Sequence, residues 1–134
     1  MNMEKIIWKD SFSVGNVDMD LQHQKLIEMI NELIEQKDLS NNGEVVSDVL
    51  TKMTDYIKYH FTSEEAYMKK IDFPEIVSHE LEHLDFIEKT TNFCLGTLTF
   101  DKSVYTELLE FLKEWLLNHI LKSDMKYKEF AETL

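Results

Sequence analysis

The sequence predicts an all-α protein, folded as an antiparallel up-down-up-down four-helix bundle with an irregular N-terminal arm and a short C-terminal tail. Three observations support this prediction. Only three glycines and one proline occur in 134 residues, which leaves few positions that interrupt a helix. Four segments repeat apolar residues with the 3.6-residue period of an amphipathic helix. Short stretches separate these segments, as in bundles whose neighbouring helices run antiparallel.

Length and charge set bounds on the organisation of the chain. A chain of 134 residues is large enough for one hydrophobic core, so we expect a single domain over residues 1–134. Within it we expect an arm at 1–17, the bundle at 18–121 and a C-terminal segment at 122–134. The formal net charge of −12 disfavours nucleic acid and anionic membranes as partners.

The N-terminus and the cysteine content favour a cytoplasmic location. Charged residues interrupt the apolar runs near the N-terminus, and no run approaches the roughly 20 apolar residues that cross a bilayer. The single cysteine, Cys94, cannot form an internal disulfide, which is consistent with a reducing compartment. We predict that Cys94 is a small apolar core residue rather than a reactive thiol.

The N-terminal arm and the first helix are both rich in apolar residues. We expect the following arm residues to pack onto the body: Ile6, Ile7, Trp8, Phe12, Val14 and Val17. The first helix begins near Asp18, and Asp20 favours a helix N-terminus. Its apolar stripe consists of His23, Leu26, Ile27, Ile30, Leu33 and Ile34. His23 is therefore predicted to lie on the buried face.

The second helix follows a polar loop predicted from Asp38 to Gly43. Its buried face consists of Val46, Val49, Leu50, Met53, Ile57, His60, Phe61, Glu64, Tyr67, Met68 and Ile71. The helix ends at Asp72 and Phe73, because the residue before a proline is disfavoured from helical conformation. Pro74 itself suits the first turn of the next helix.

The third helix is predicted from Pro74 to Phe93, with Gly96 as a C-terminal stop. Its inward face consists of Ile76, His79, His83, Phe86, Ile87 and Thr90. Asp101 or Ser103 caps a fourth helix. The stripe of that helix consists of Val104, Leu108, Phe111, Leu112, Trp115, Leu116 and His119. The tail KYKEFAETL is either a short helix or a frayed end, and the sequence does not decide between them.

All five histidines fall on core-facing stripes, and each helix contributes at least one. A single buried histidine is usually an ordinary core residue, but that explanation weakens when every histidine requires it. His60 and Glu64 are four residues apart, as are His79 and His83, so each pair projects from one helix face. Two such pairs on adjacent helices can bind metal between them.

Two carboxylates accompany the histidines. Glu64 occupies a core-facing position where a carboxylate is costly unless paired or metal-bound, and no Lys or Arg lies on the matching stripes. The next residue, Glu65, turns outward and is explained by solvent. Asp124 follows His119 by five residues, about 140° round an ideal helix, so both cannot face inward from one. Either a π-type turn re-aims one of them or the helix ends there, and otherwise Asp124 is an ordinary surface residue.

Four segments resemble the hemerythrin family, and particularly its single-domain bacterial members. They are DMDLQHQKL, HFTSEEAYM, HELEHLDF and WLLNHILKSDMKY, and Trp8 and Phe12 of the arm extend the resemblance over nearly the whole chain. All seven ligand positions of the family pattern are filled at the family's spacings, by His23, His60, Glu64, His79, His83, His119 and Asp124.

The resemblance implies two non-haem irons joined by an oxo or hydroxo bridge. It implies that Glu64 and Asp124 bridge both irons. The remaining ligands divide between them, with His79, His83 and His119 on one iron and His23 and His60 on the other. It further implies that the second iron has a vacant position that binds dioxygen. Candidate walls of a dry pocket around that position are Leu117, Trp115 and Phe61, each of which is also explained by plain core packing.

The function implied is reversible dioxygen binding for storage, delivery or scavenging, without enzymatic turnover. Two alternatives remain open, namely an oxygen or redox sensor acting through a separate partner and a di-iron enzyme such as a peroxidase or nitric oxide reductase. Mixed imidazole and carboxylate ligation suits non-haem iron, whereas structural zinc prefers four-coordinate sites rich in thiolate. Ferritin-like proteins use Glu-x-x-His twice, and this chain has it once, at Glu80–His83. We expect a monomer or small oligomer.

Overall fold

The computed structural model confirms the all-α fold, with four helices packed against one another as a bundle. It describes residues 5–35, 43–96 and 102–134. The helices are α1 (Val17–Glu35), α2 (Gly43–Lys70), α3 (Ile76–Gly96) and α4 (Lys102–Trp115). A π-helical segment (Leu116–Ser123) then leads directly into α5 (Asp124–Ala131). Both α1 and α3 pack against α2 and α4, so the four helices enclose one core.

Several sequence-based predictions fall outside the residues that the structure describes. They concern the first four residues of the arm, the loop at 38–42, the Asp101 cap, and the side chains of Ser103 and Val104. The C-terminal tail is described and is helical to Ala131, with Tyr127 fully buried. The helical chain therefore continues well past residue 121.

The arm covers the bundle with only part of its apolar residues. As predicted, Ile6, Trp8 and Phe12 pack against the main core, and Val14 is buried. The prediction was wrong for Ile7 and Val17, which are 76% and 75% exposed. Ile7 lies between Ile6 and Trp8, whose side chains pack against the main core, and its own side chain points to solvent. Val17 opens α1 on the face turned away from the core.

Helix α1 begins one residue earlier than predicted and is capped by Asn16. The Asn16 Oδ1 atom accepts a hydrogen bond from the Met19 backbone N–H at 3.0 Å, which is the usual N-cap contact. Asp20 has a different role from the one predicted. Its carboxylate accepts hydrogen bonds from Ser13 Oγ at 2.5 Å and from the Val14 N–H at 2.8 Å. Asp20 thereby fastens the arm to the start of α1.

Helix α2 ends at Lys70, and a residue in the left-handed conformation follows it, two positions before Pro74. Asp72 has φ 56°, and the Phe73 N–H donates to the Met68 carbonyl at 2.9 Å, closing the last turn as in a Schellman motif. The predicted helix end before Pro74 is confirmed. The prediction that Pro74 lies in the first turn of the next helix was wrong, because α3 begins at Ile76.

The buried residues form two apolar clusters. The main cluster fills the bundle between all four helices. A smaller cluster, consisting of Val14, Met19, Met68, Phe73 and Tyr127, closes one end. Ile87 and Cys94 were predicted to be buried, but Ile87 is 39% exposed and Cys94 is exposed. Each follows a core-facing residue of α3, Phe86 and Phe93 respectively, and so lies beyond the edge of the buried stripe. None of the helices in the described ranges combines the length and hydrophobicity of a membrane span.

Candidate metal centre

Seven side chains from all parts of the bundle converge on one buried point. Their relative exposure is at most 3%, so the position that the periodicity predicted for the histidines and for Glu64 is confirmed. They are His23 on α1, His60 and Glu64 on α2, His79 and His83 on α3, His119 in the π-helical segment and Asp124 at the start of α5. The cluster lies between the main core and the smaller apolar cluster, since aromatic residues of both contact its rings.

The two oxygens of Glu64 face different histidines. Oε2 lies 3.3 Å from His23 Nε2 and 3.4 Å from His60 Nε2. Oε1 lies 2.9 Å from the Nε2 atoms of His79 and His83 and 3.7 Å from that of His119. Glu64 therefore divides the five imidazoles into a pair and a trio.

The two oxygens of Asp124, at the start of α5, also face different histidines. Its Oδ2 lies 3.0 Å from His23 Nε2, whereas its Oδ1 lies 2.8 Å from His79 Nε2 and 3.0 Å from His119 Nε2. Each carboxylate thus presents one oxygen to the two-histidine half (His23, His60) and the other to the three-histidine half (His79, His83, His119). Carboxylates in this arrangement can bridge two cations.

The π-helical segment explains how Asp124 reaches the cluster. The Asp124 backbone N–H donates to the carbonyl of His119, five residues earlier, which is the hydrogen bond that defines a π-helix. This wider turn places the two side chains on one face, where an α-helix would separate them by about 140°. Of the possibilities that the sequence left open, the π-type turn is the one observed.

Three histidines form hydrogen bonds through Nδ1, the ring nitrogen that is directed away from the centre of the cluster. His60 Nδ1 lies 2.6 Å from Gln22 Oε1, His83 Nδ1 lies 2.8 Å from Glu65 Oε2, and His119 Nδ1 lies 3.0 Å from Glu82 Oε1. Each oxygen accepts the Nδ1 hydrogen, which leaves Nε2 directed into the cluster. Ser123 Oγ donates to the same Glu82 oxygen at 2.7 Å. We call these three residues, Gln22, Glu65 and Glu82, the anchors.

Glu65 corrects the interpretation that solvent alone explains it, because its side chain is 30% exposed and bonded to His83. The sequence does contain a signal for all three anchors. Each is a hydrogen-bond acceptor immediately adjacent in sequence to a cluster residue, since Gln22 precedes His23, Glu65 follows Glu64 and Glu82 precedes His83. Adjacency alone could not tell which histidine each would contact.

Aromatic rings enclose the imidazoles. Phe61 stacks on His83 with ring centroids 3.8 Å apart, and Trp115 stacks on His119 at 3.9 Å. Phe61 and Trp115 were predicted as walls of a pocket on the two-histidine half, but both stack on rings of the three-histidine half. Tyr56, which the sequence did not single out, stacks on His60 at 5.0 Å.

The third predicted wall, Leu117, does not face the cluster. Leu117 is 45% exposed, whereas the preceding Leu116 is 3% exposed and belongs to the main core. The sequence contained the reason, because Leu116 lies four residues after Leu112 and three before His119 on the inward stripe. Leu116, and not Leu117, therefore faces the core.

Tyr127 completes the surroundings of Glu64. Its hydroxyl donates a 2.9 Å hydrogen bond to Glu64 Oε2. Burial, followed by the negative charge of Glu64, raises the pKa of Tyr127 well above its usual value, so the hydroxyl remains a donor. The sequence signal was its position three residues after Asp124, on the same face of α5.

The electrostatics of the cluster reflect its carboxylates. Burial lowers the pKa of His23 and of His79, but interactions with Asp124 and Glu64 outweigh it and raise both pKa values to about 9. Burial dominates at His60 and lowers its pKa. Burial would raise the pKa values of Glu64 and Asp124, yet the surrounding histidines lower both. Both carboxylates are thus held as anions.

The donor set fits two cations. Two groups of four side chains each offer ligand atoms that lie within 4.8 Å of one another, and Glu64 belongs to both. The first group is Glu64, His79, His83 and His119, and the second is His23, His60, Glu64 and Asp124. Both oxygens of Asp124 are buried and accept no hydrogen bond of ordinary geometry from the described residues. Such oxygens are costly to bury unless a cation binds them.

Fold and site together define a helical-bundle protein with a buried cluster of histidines and carboxylates that could hold metal. The family model described as hemerythrin HHE cation binding domain matches residues 14–131. The chain belongs to the hemerythrin family.

Several named proteins are similar to this chain along most of their length. A bacteriohemerythrin of Clostridium acetobutylicum is 32% identical over 125 residues, covering 90% of this chain and 97% of that protein. A hemerythrin-like protein of Naegleria gruberi is 36% identical over 121 residues, covering 90% and 89%. A myohemerythrin of Theromyzon tessulatum is 36% identical over 122 residues, covering 90% and 89%.

Proposed function

We propose that this protein binds dioxygen reversibly at a non-haem di-iron centre. One observation carries the proposal: Glu64 and Asp124 each direct one oxygen to the two-histidine half and the other to the three-histidine half. Family membership supports the same assignment. The ligands proposed are His23, His60, Glu64, His79, His83, His119 and Asp124.

The donor chemistry supports iron as the metal. All seven donors are imidazole nitrogens or carboxylate oxygens, a mixture that suits non-haem iron, and the single cysteine is exposed. Two ferrous ions in this centre would supply the electrons and the coordination position that dioxygen binding requires. The two-histidine half has one imidazole fewer, so the free position is proposed to lie there.

The surrounding residues keep the centre dry and fixed. Phe61 and Trp115 cover two imidazoles of the three-histidine half, Tyr56 covers His60, and Leu116 is buried in the main core. Exclusion of water would limit the supply of protons in the centre and so would favour release of dioxygen over its reduction. The hydrogen bond from Tyr127 holds Glu64 in its bridging orientation.

A spectroscopic cycle tests the proposal. Protein reconstituted with ferrous iron and kept anaerobic is exposed to air, its visible spectrum is recorded, and the sample is then degassed. The proposal predicts a new visible band that disappears when oxygen is removed and returns on re-exposure. An absent band, or a single irreversible change accompanied by consumption of added reductant, would contradict reversible binding; the latter would favour the di-iron enzyme.

A further inference from the structure

The two halves of the centre differ in the groups that accept hydrogen bonds from the Nδ1 atoms of their histidines. In the three-histidine half, the Nδ1 hydrogens of His83 and His119 are donated to the carboxylates of Glu65 and Glu82. In the two-histidine half, His60 donates to the neutral amide oxygen of Gln22. The remaining ring, His23, has a buried Nδ1 without a hydrogen-bond partner among the described residues. Among the described residues, a carboxylate therefore supports two rings of the three-histidine half and neither ring of the two-histidine half.

This difference has a direct effect on metal binding. A carboxylate that accepts the Nδ1 hydrogen increases the electron density of the imidazole ring and makes Nε2 a stronger donor to a cation. A neutral amide fixes the ring but adds less electron density, because charge-assisted hydrogen bonds are about twice as strong as neutral ones. Glu65 is 30% exposed and Glu82 40%, so both carboxylates lie in partly screened positions.

We infer that Glu65 and Glu82 make the three-histidine half the first and tighter site for a divalent cation, while Gln22 leaves the two-histidine half weaker. The two metals are thus loaded in order. The inference rests on the proposed function, since it requires that each half hold a metal. It assigns Glu65, Glu82 and Gln22 as positioning residues that act through His83, His119 and His60.

The number of imidazoles alone would also favour the three-histidine half, so the test must change charge without changing ligands. Glu65→Gln and Glu82→Gln retain an oxygen that accepts the Nδ1 hydrogen and remove only the negative charge. Gln22→Glu makes the opposite change on the other half. Glu88→Gln, exposed on the same helix as Glu82, removes a charge of the same sign and serves as the control.

The experiment is an anaerobic titration of metal-free protein with Co²⁺, followed by visible absorption and calorimetry. Native protein is expected to show two separate binding events. His119→Ala should remove the tighter event and His60→Ala the weaker one, which assigns each event to a half. Glu65→Gln and Glu82→Gln should weaken the tighter event by about 10–100-fold, the range measured for such hydrogen-bond partners of metal ligands. The weaker event and the Glu88→Gln control should not change.

Gln22→Glu provides the reciprocal readout. The substitution should raise the Co²⁺ affinity of the weaker event and so reduce the difference in affinity between the two events. A purely structural role for Gln22 would not produce this increase. Circular dichroism of each metal-free variant verifies that the bundle is folded. Unchanged affinity of the tighter event in both glutamine variants would overturn the inference while leaving the proposed function intact. Failure of the native protein to bind Co²⁺ at either half would instead contradict the proposed function.

Discussion

The Tyr127 hydroxyl donates a hydrogen bond to Glu64 Oε2 across 2.9 Å, joining α5 to the middle of α2 at a fully buried position. Glu64 would otherwise hold its bridging orientation only through the histidines. Hydrogen bonds to charged groups contribute about 1.5–3 kcal/mol. Helix α5 therefore contributes a hydrogen bond to the candidate metal centre as well as buried apolar surface to the fold.

Replacing Tyr127 with Phe should lower the free energy of unfolding by about 1.5–3 kcal/mol, because the hydrogen bond to a buried anion is lost without a change of shape. Denaturant unfolding of native and variant protein measures the difference. Tyr59→Phe is the matched control, since Tyr59 is 63% exposed. Equal losses in both variants would show that the Tyr127 hydroxyl does not support Glu64.

The adjacent leucines 116 and 117 should respond very differently to truncation. Leu116→Ala should destabilise the protein by about 2–5 kcal/mol, as large-to-small core substitutions do. Leu117→Ala should change stability by no more than about 0.5 kcal/mol, as at exposed positions. Thermal or denaturant unfolding measures both. A larger effect at Leu117 than at Leu116 would restore the sequence-based assignment of Leu117 as a wall of the centre.

The metal-free protein should lose stability as pH rises from about 6.5 to 9. The pKa values of His23 and His79 are raised from 6.5 to about 9, so protonation of these residues favours the folded state. That contribution is complete below the unfolded pKa and disappears as pH rises through the folded value. Melting temperatures measured in chelator across this range test the prediction, and a rise in melting temperature over the same window would contradict it.

Metal loading should remove most of this dependence, because a cation replaces the protons between the histidines and the carboxylates. The same series of melting temperatures, recorded with bound metal, provides the comparison. At the acid end the sign reverses, since the lowered pKa values of Glu64 and Asp124 give stability that is lost as pH falls through them.

Metal binding through Asp124 should depend on the number of residues that separate it from His119. One alanine inserted after Lys122 makes the spacing six, which neither a π-helix nor an α-helix places on one face, so metal binding to Asp124 should be lost. Deleting Lys122 makes the spacing four, which an α-helix does place on one face, so binding should be largely retained. Metal analysis of both variants distinguishes them. Equal metal content in the two would contradict the role of the π-helical segment.

Helix periodicity was sufficient to predict the fold and the burial of the histidines. Each helix has one stripe of apolar residues, and a polar residue on that stripe must follow it into the core, which is why His60 and Glu64 could be placed from spacing alone. Asp124 could not, because an α-helix and a π-helix of the same sequence present it to opposite sides. Its assignment depended on the resemblance to a family.

The sequence-based predictions were wrong beside the buried stripes of the helices, and they missed the residues that hydrogen-bond to the histidines of the cluster. Ile87, Cys94 and Leu117 each lie one position beyond a core-facing residue, where composition favours burial but helix geometry does not. Glu65 and Glu82 contact histidines on other helices, and such contacts depend on the rotation of one helix against another. Nothing in a single segment's periodicity specifies that rotation.

The most direct test of the central claim is the iron content of the protein after anaerobic reconstitution and removal of unbound metal, measured beside Glu64→Ala. The two groups of ligands predict two irons per native chain. Because Glu64 belongs to both groups, its loss should weaken binding at both and reduce the content well below that of His60→Ala, which leaves the three-histidine half intact. Native protein that retains less than one iron per chain would contradict the account.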